Sequence, residues 1–314
     1  MRWVNENREA RMIGERGCLE TYIIDSDIAG VDMAGRRVPS RRGGPETKMS
    51  LFITIATLNY LPYTRMLYSS LMETNQDGRL CIFCDSEEFV GAFGDHDRVE
   101  LRVLPEIQIL GVKRAKFKAY LLSCTQPFVY LDSDIIVLKD LSALFDASRL
   151  SACPDDLSEC PFIQDKVHPW KGDPSLENKT YVNSGIFFAP LSCRDFFESL
   201  WRMSLEDETW KKYTFPPYLY DNHFLCAMIN KFSYPCDFLD PIRFNWPGLR
   251  SGLRFLAVPR GNELVHEDTG RALSLCHFAG GREPKFWFND MPSSLSAFLK
   301  ERAGLKKHTA DWSL

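Results

Sequence analysis

No stretch of this chain approaches the ~20 consecutive apolar residues that a membrane-spanning helix requires, and its first residues lack the apolar core of an export signal. A cytoplasmic location is the default expectation. A field of one sign is also missing, because 38 basic side chains stand against 42 acidic ones, dispersed along the chain, for a net charge of -4. That balance argues against a nucleic-acid partner and requires any anionic ligand to find a local site. A disulfide framework is lacking too: the ten cysteines are scattered through segments that read as strands and helices, which suits reduced, buried thiols. Cys81 and Cys84 form a C-x-x-C, but no second thiol pair at zinc spacing accompanies them. They lie inside Leu80-Cys81-Ile82-Phe83-Cys84, an apolar run with strand character, so core packing is the expectation there.

What is present is enough apolar material for a substantial core: 45% hydrophobic residues in 314. Residues 1 to 48 are rich in Arg, Glu, Asp and Gly with little periodicity and read as a flexible extension. From Ser50 the pattern alternates between strand and helix, which predicts an α/β fold with a mostly parallel central sheet flanked by helices. Leu51 to Ala56, Arg79 to Asp85 and Val99 to Val103 read as strands. Between the first two, Pro62 suits a helix's first turn, and Tyr63, Met66, Leu67, Ser70 and Leu71 share one helical face. Phe117, Tyr120, Leu121 and Cys124 mark the next helix. Beyond Leu144, a stretch to about Lys179 rich in Pro, Trp, Asp and Lys reads as a long loop over the site. Tyr181 to Ala189 returns to strand character, helices follow from near Asp195 and Asp221, and Ala272 to Phe278 is the last strand. Pro292 and Gly304 bracket a final helix carrying Leu295, Phe298 and Leu299. The expected division is an extension at 1 to 48, one catalytic domain at 49 to 291, and a C-terminal helix and tail at 292 to 314.

The chemistry concentrates in Phe128-Val129-Tyr130-Leu131-Asp132-Ser133-Asp134-Ile135-Ile136-Val137, where two carboxylates one residue apart follow a buried-strand pattern. Ligands of open α/β sheets gather outside the carboxyl ends of strands, so Asp132 and Asp134 are candidates to hold a divalent cation against a nucleotide diphosphate. Asp25 and Asp27 repeat the spacing in the N-terminal extension, so setting rather than spacing singles out the second pair. His277, leaving the last strand, is a candidate third ligand that admits manganese as readily as magnesium. The glycines after it and Lys285 or Arg282 have the properties needed to meet phosphate oxygens. Lys300, Arg302, Lys306 and Lys307 form a basic cluster beside the final helix, a feature of weak peripheral membrane contact or simply of a solvated face.

On these residues the chain from about Ser50 to Trp287 resembles glycosyltransferase family 8, the glycogenin and lipopolysaccharide galactosyltransferase group, which has the GT-A fold. Five segments match in order: Ile55 to Tyr60, Val129 to Leu141, Tyr181 to Gly185, Asp221-Asn222, and His277 to Trp287. The resemblance implies a hexosyltransferase that uses a uridine diphosphate sugar, acts on a glycan, lipid-linked or protein acceptor, and retains anomeric configuration. It further implies Mn2+ or Mg2+ on Asp132, Asp134 and His277, with diphosphate contacts from Gly280 and Lys285. Uridine contacts fall on Ala56, Thr57 and Tyr60, and sugar or acceptor contacts on Asn183, Asp221 and Asn222. Lys116 matches a basic family residue facing the donor. The chain departs from the family pattern at Leu58, where an acidic residue is usual, at Asn222, where glutamine is usual, and in the spacing of Lys285 from Gly280.

Bland readings stand beside these. Asp221 before a helix is a good N-cap, Tyr60 a good core aromatic, and Asn183 a residue that satisfies turn backbone. Three other functions also remain open. A haloacid dehalogenase type phosphatase uses D-x-D, but opens its domain with it and carries Thr or Val where Ile136 stands. A sugar nucleotidyltransferase carries a glycine-rich basic loop where Asn59-Tyr60-Leu61-Pro62 stands. A non-catalytic binder of nucleotide sugars or glycans is the third.

Overall fold

The computed structural model describes residues 49–154, 181–214, 221–244, 250–251, 254–278, 288–289 and 291–305. The strands are β1 (Ser50–Ala56), β2 (Gly78–Cys84), β3 (Val99–Val103), β4 (Phe128–Leu131), β5 (Ile135–Val137), β6 (Leu150–Pro154), β7 (Val182–Ala189), β8 (Cys236–Phe238), β9 (Arg250–Ser251), β10 (Arg254–Phe255), β11 (Ala257–Arg260), β12 (Glu263–His266) and β13 (Leu275–His277). The helices used below are α1 (Leu61–Thr74), α2 (Glu87–Phe93), α3 (Glu106–Leu110), α4 (Val112–Ser123), α5 (Arg194–Ser204), α6 (Asp207–Thr214) and α7 (Asp221–Lys231).

Seven strands form the central sheet in the order β3-β2-β1-β4-β7-β6-β8. Four of its six pairings are parallel, and β7 runs against both of its neighbours, β4 and β6. The predicted, mostly parallel sheet is therefore present with one reversed strand. The reversal matters because it sets the carboxyl end of β4 beside the beginning of β7.

Alternation of side chains along the strands divides the core between two faces. Ile53, Phe128, Tyr130 and Phe187 pack on one side with α4, α5 and α7. Phe52, Val129, Leu131 and Phe188 pack on the other with Leu67 and Leu71 of α1. Cys81 and Cys84 are both buried thiols of β2, as their strand setting predicts, and none of the eight cysteines among the described residues is in a disulfide. Burial pushes the Cys81 thiol up to about 12, which keeps it unreactive.

A third cluster anchors the end of the chain: Ile136, Leu138, Cys276 and Phe278 pack against Leu295 and Leu299 of the helix Ser293–Arg302. This joins the β5–β13 ladder to the body. Helix α1 holds the same segment from the other side, because Ser70 Oγ accepts from Val137 N at 3.0 Å and Asn75 Oδ1 accepts from Leu141 N at 2.8 Å.

The chain after Leu144 does not run on directly into a loop. Leu150–Pro154 is β6, buried between β7 and β8. Its run Leu150-Ser151-Ala152-Cys153 is short and carries two small polar-compatible positions, so the pattern is too weak to separate from its surroundings without the partner strands. Residues 155–180 of the expected loop lie outside the described residues, as do residues 1–48, Arg282 and Trp287. No helix among the described residues is long and apolar enough to cross a membrane. Of the basic C-terminal cluster, Arg302 is tied to Glu73 at 3.5 Å and to Asn262 O at 2.8 Å, Lys300 lies over the Phe288 ring, and Lys306 and Lys307 lie outside the described residues.

Candidate active site

The chain leaves the central sheet at Asp132 and enters a second ladder at Ile135, so the two carboxylates occupy the joint between two sheets. Asp132 N donates to Gly185 O at 2.7 Å, continuing the antiparallel β4–β7 pairing by one residue. Ile135 then pairs with His277 across β5 and β13, and Phe278 N donates to Asp134 O at 2.9 Å. Backbone pairing thus brings an imidazole from far down the chain to the D-x-D.

The side chains converge accordingly. Ligand atoms of Asp132, Asp134 and His277 all lie within 4.8 Å of one another. His277 Nε2 stands 3.3 Å from Asp134 Oδ1 and 3.7 Å from Asp132 Oδ2. Two carboxylate oxygens and one imidazole nitrogen form a donor set that could hold a divalent cation. The space between them depends on a missing side chain. A Cβ on Gly185 would fall 2.5 Å from His277 Cε1, 2.7 Å from Asn183 Oδ1 and 2.8 Å from Asp132 Oδ2.

On the far side of Asp132 lies a buried polar chain. Lys116 Nζ, from α4, stands 2.8 Å from Asp132 Oδ1 and 2.8 Å from Asp221 Oδ2. Tyr130 Oη donates to Asp132 Oδ1 at 2.6 Å. Ser184 Oγ donates to Asp221 Oδ2 at 2.7 Å and also contacts Asn222 Oδ1. Asn183 Oδ1 accepts from Gly185 N at 2.6 Å. Asp132, Asp134, Lys116, Asn183, Ser184, Asp221 and Asn222 therefore form one connected site with His277.

Electrostatics holds the groups in their charged forms against burial. Burial alone would drive Lys116 toward neutrality, but Asp132 and Asp221 keep its ammonium well above the ordinary lysine value. Burial likewise opposes ionisation of Asp221, yet Lys116 and Ser184 hold its carboxyl below the usual range. For Asp134, burial is outweighed by His277 and Lys116, and its carboxyl is also held low.

The first strand opens on the same region. Its parallel register, Ile53 opposite Tyr130, carries Ala56 and Thr57 to the end of the sheet where Asp132 emerges. Tyr60 follows in the short helix Leu58–Tyr60, and its phenol is pushed up by burial and then by the charges of Asp134 and Asp132. Asp221 opens α7, and its carboxylate is engaged by Lys116 and Ser184. Gly280 and Lys285 lie outside the described residues.

Sequence reading passes over Tyr130 and Ser184 as site residues. The signal for Tyr130 is its two-residue spacing from Asp132, which puts both side chains on one face of β4. Ser184 carries no comparable signal, because only the approach of α7 gives its hydroxyl a carboxylate to meet.

No family profile matches the chain, and no characterised protein matches it by sequence. Solved structures do match in three dimensions. The galactosyltransferase LgtC, in complex with donor and acceptor sugar analogs, superposes at a TM-score of 0.53 and 17% identity over 81% of this chain and 95% of its own. An active-site variant of LgtC gives 0.55 at 18% identity, with the same coverage. The bifunctional glycosyltransferase WbbM, in its apo form, gives 0.53 at 13% identity over 82% of this chain, which spans about half of WbbM's length (52%). The chain thus has the GT-A fold of the LgtC and WbbM glycosyltransferases, with its acidic and imidazole groups gathered at the carboxyl end of the central β4 strand.

Proposed function

We propose that this protein is a metal-dependent glycosyltransferase that moves a hexose from a nucleotide sugar, a uridine diphosphate sugar by resemblance, to an acceptor hydroxyl with retention of configuration. The single observation that carries the reading is the convergence of Asp132, Asp134 and His277 within 4.8 Å in a GT-A fold. The cleft left free of side chain at Gly185 supports it, because a cation would occupy the volume that a Cβ there would claim.

In this reading Asp132, Asp134 and His277 hold Mn2+ or Mg2+. The bound cation supplies Lewis-acid neutralisation of charge on the departing diphosphate. Gly280 and Lys285 of the closing segment meet the same diphosphate, and Ala56, Thr57 and Tyr60 receive the nucleoside. Asn183, Asp221 and Asn222 orient the sugar or the acceptor, with Ser184 bracing the last two. Lys116 donates to both Asp132 and Asp221 and so ties the D-x-D to the start of α7. Acceptor deprotonation is assigned to no residue. The catalytic body is taken as residues 49 to 291, acting on a glycan hydroxyl, free or carried on lipid or protein, in a cytoplasmic setting that suits eight cysteines outside any disulfide among the described residues.

A thermal-shift panel of nucleotide sugars, each with and without Mn2+, tests the reading, since a ligand that prefers the native state raises the melting temperature. A uridine diphosphate hexose should raise it only when metal is present. No shift with any donor under any metal would remove the transferase assignment.

A further inference from the structure

The two oxygens of Asp132 have different surroundings. Oδ1 receives the Tyr130 hydroxyl at 2.6 Å and the Lys116 ammonium at 2.8 Å. Oδ2 faces His277 Nε2 at 3.7 Å and borders the gap at Gly185, whose added Cβ would lie 2.8 Å away. A carboxylate free to rotate would exchange these oxygens; this one is pinned on one side by two donors from different elements.

Tyr130 is itself immobile. It is fully buried, its ring stacks on Phe187 at 5.4 Å, and it meets Tyr120 edge-on at 4.9 Å. Lys116 Nζ also lies 5.4 Å from the centre of the same ring. The strand period sets Tyr130 and Asp132 on one face, so the phenol reaches the carboxylate without distorting β4. A hydroxyl fixed in this way costs no ordering when a ligand arrives.

We propose that Tyr130 is a positioning residue for cation binding: with Lys116 it occupies Asp132 Oδ1 and presents Oδ2 alone to the metal. The inference rests on the metal reading given above and adds to it a mode of ligation, one oxygen from Asp132, and the residue that enforces it. Outer donors that orient a ligating carboxylate typically change metal affinity by about 10- to 100-fold when removed.

The test is Mn2+ titration of the full chain, without donor, followed by the electron paramagnetic resonance of free Mn2+. Wild type, Tyr130→Phe and Phe187→Leu are compared, each checked for folding by circular dichroism. Tyr130→Phe keeps the ring and its packing and deletes only the donor. Phe187→Leu disturbs the same aromatic stack and leaves the hydroxyl. The expected result is a loss of Mn2+ affinity of about tenfold or more in Tyr130→Phe, with Phe187→Leu close to wild type. Equal losses in both variants would assign the effect to packing and overturn the inference. Wild-type affinity in Tyr130→Phe would also overturn it while leaving the metal site standing. Failure of the wild type to bind Mn2+ would remove the site and the inference together.

Discussion

Gly185 stands directly across the β4–β7 ladder from Asp132, accepting its backbone N–H at 2.7 Å, and its bare Cα leaves the room in which Asp132, Asp134 and His277 converge. A methyl group there meets the imidazole at 2.5 Å, well inside contact distance, and strand backbone on both sides prevents an easy retreat. Gly185→Ala should therefore fold, destabilised by about 1–3 kcal/mol from overpacking, and lose Mn2+ binding. Calorimetric titration with Mn2+ checks it; undiminished affinity would mean that the cation sits elsewhere.

Asp134 faces His277 Nε2 at 3.3 Å, whereas the ion pairs of Lys116 go to Asp132 and Asp221. Asp134→Asn preserves shape and removes the charge. Metal-dependent donor binding should vanish while the metal-free melting temperature stays near that of the wild type. A donor-induced thermal shift equal to wild type would take Asp134 out of the site.

Lys116 is buried between two carboxylates and forms an ion pair with each. Lys116→Met removes it and leaves the Asp132 and Asp221 carboxylates with only their hydroxyl donors, Tyr130 and Ser184, in direct contact with them from this side, a change that typically costs about 3–5 kcal/mol. Urea unfolding should show the loss, and adding Asp221→Asn should recover part of it, because the second substitution deletes one of the stranded charges. Strict additivity of the two would show that the pair is not coupled.

His223, on α7 beside Asp221, is buried, and burial pulls its imidazole down to about 4 against the partial opposition of Asp221. The folded pKa is depressed below the unfolded value of 6.5, so the associated stability is fully present above pH 6.5 and is lost as pH falls toward 4. Between pH 7 and pH 5 the loss from this group is about 2 kcal/mol. Denaturant unfolding at the two pH values should show wild type losing more stability than His223→Gln. Parallel losses would place the acid sensitivity in other groups.

How much of this is legible without coordinates varies with the range of the interactions. The strands at Leu51–Ala56 and Phe128–Leu131 and the helix carrying Met66 and Leu67 are apparent from periodicity, because each buries its own face and the pattern is local. Strand β6 is not apparent, since Leu150–Pro154 is short and becomes a strand only between β7 and β8. The hairpin of β11 and β12 is equally weak, with Pro259 in one strand and Glu263 in the other. At the site, Asp132, Asp134 and His277 stand out by type and spacing, whereas Tyr130, Ser184 and the room at Gly185 do not.

The order of residues alone determined that this is an α/β protein with an acidic pair at the end of a central strand and a histidine at the end of the last one, because strand and helix periods and ligand types are written locally. Tertiary structure alone decided that the histidine meets the pair, that Lys116 divides its charge between Asp132 and Asp221, and which oxygen of Asp132 remains open. The reason is distance along the chain: His277 lies 143 positions beyond Asp134 (277 minus 134), and the pairing of β5 with β13 closes that interval.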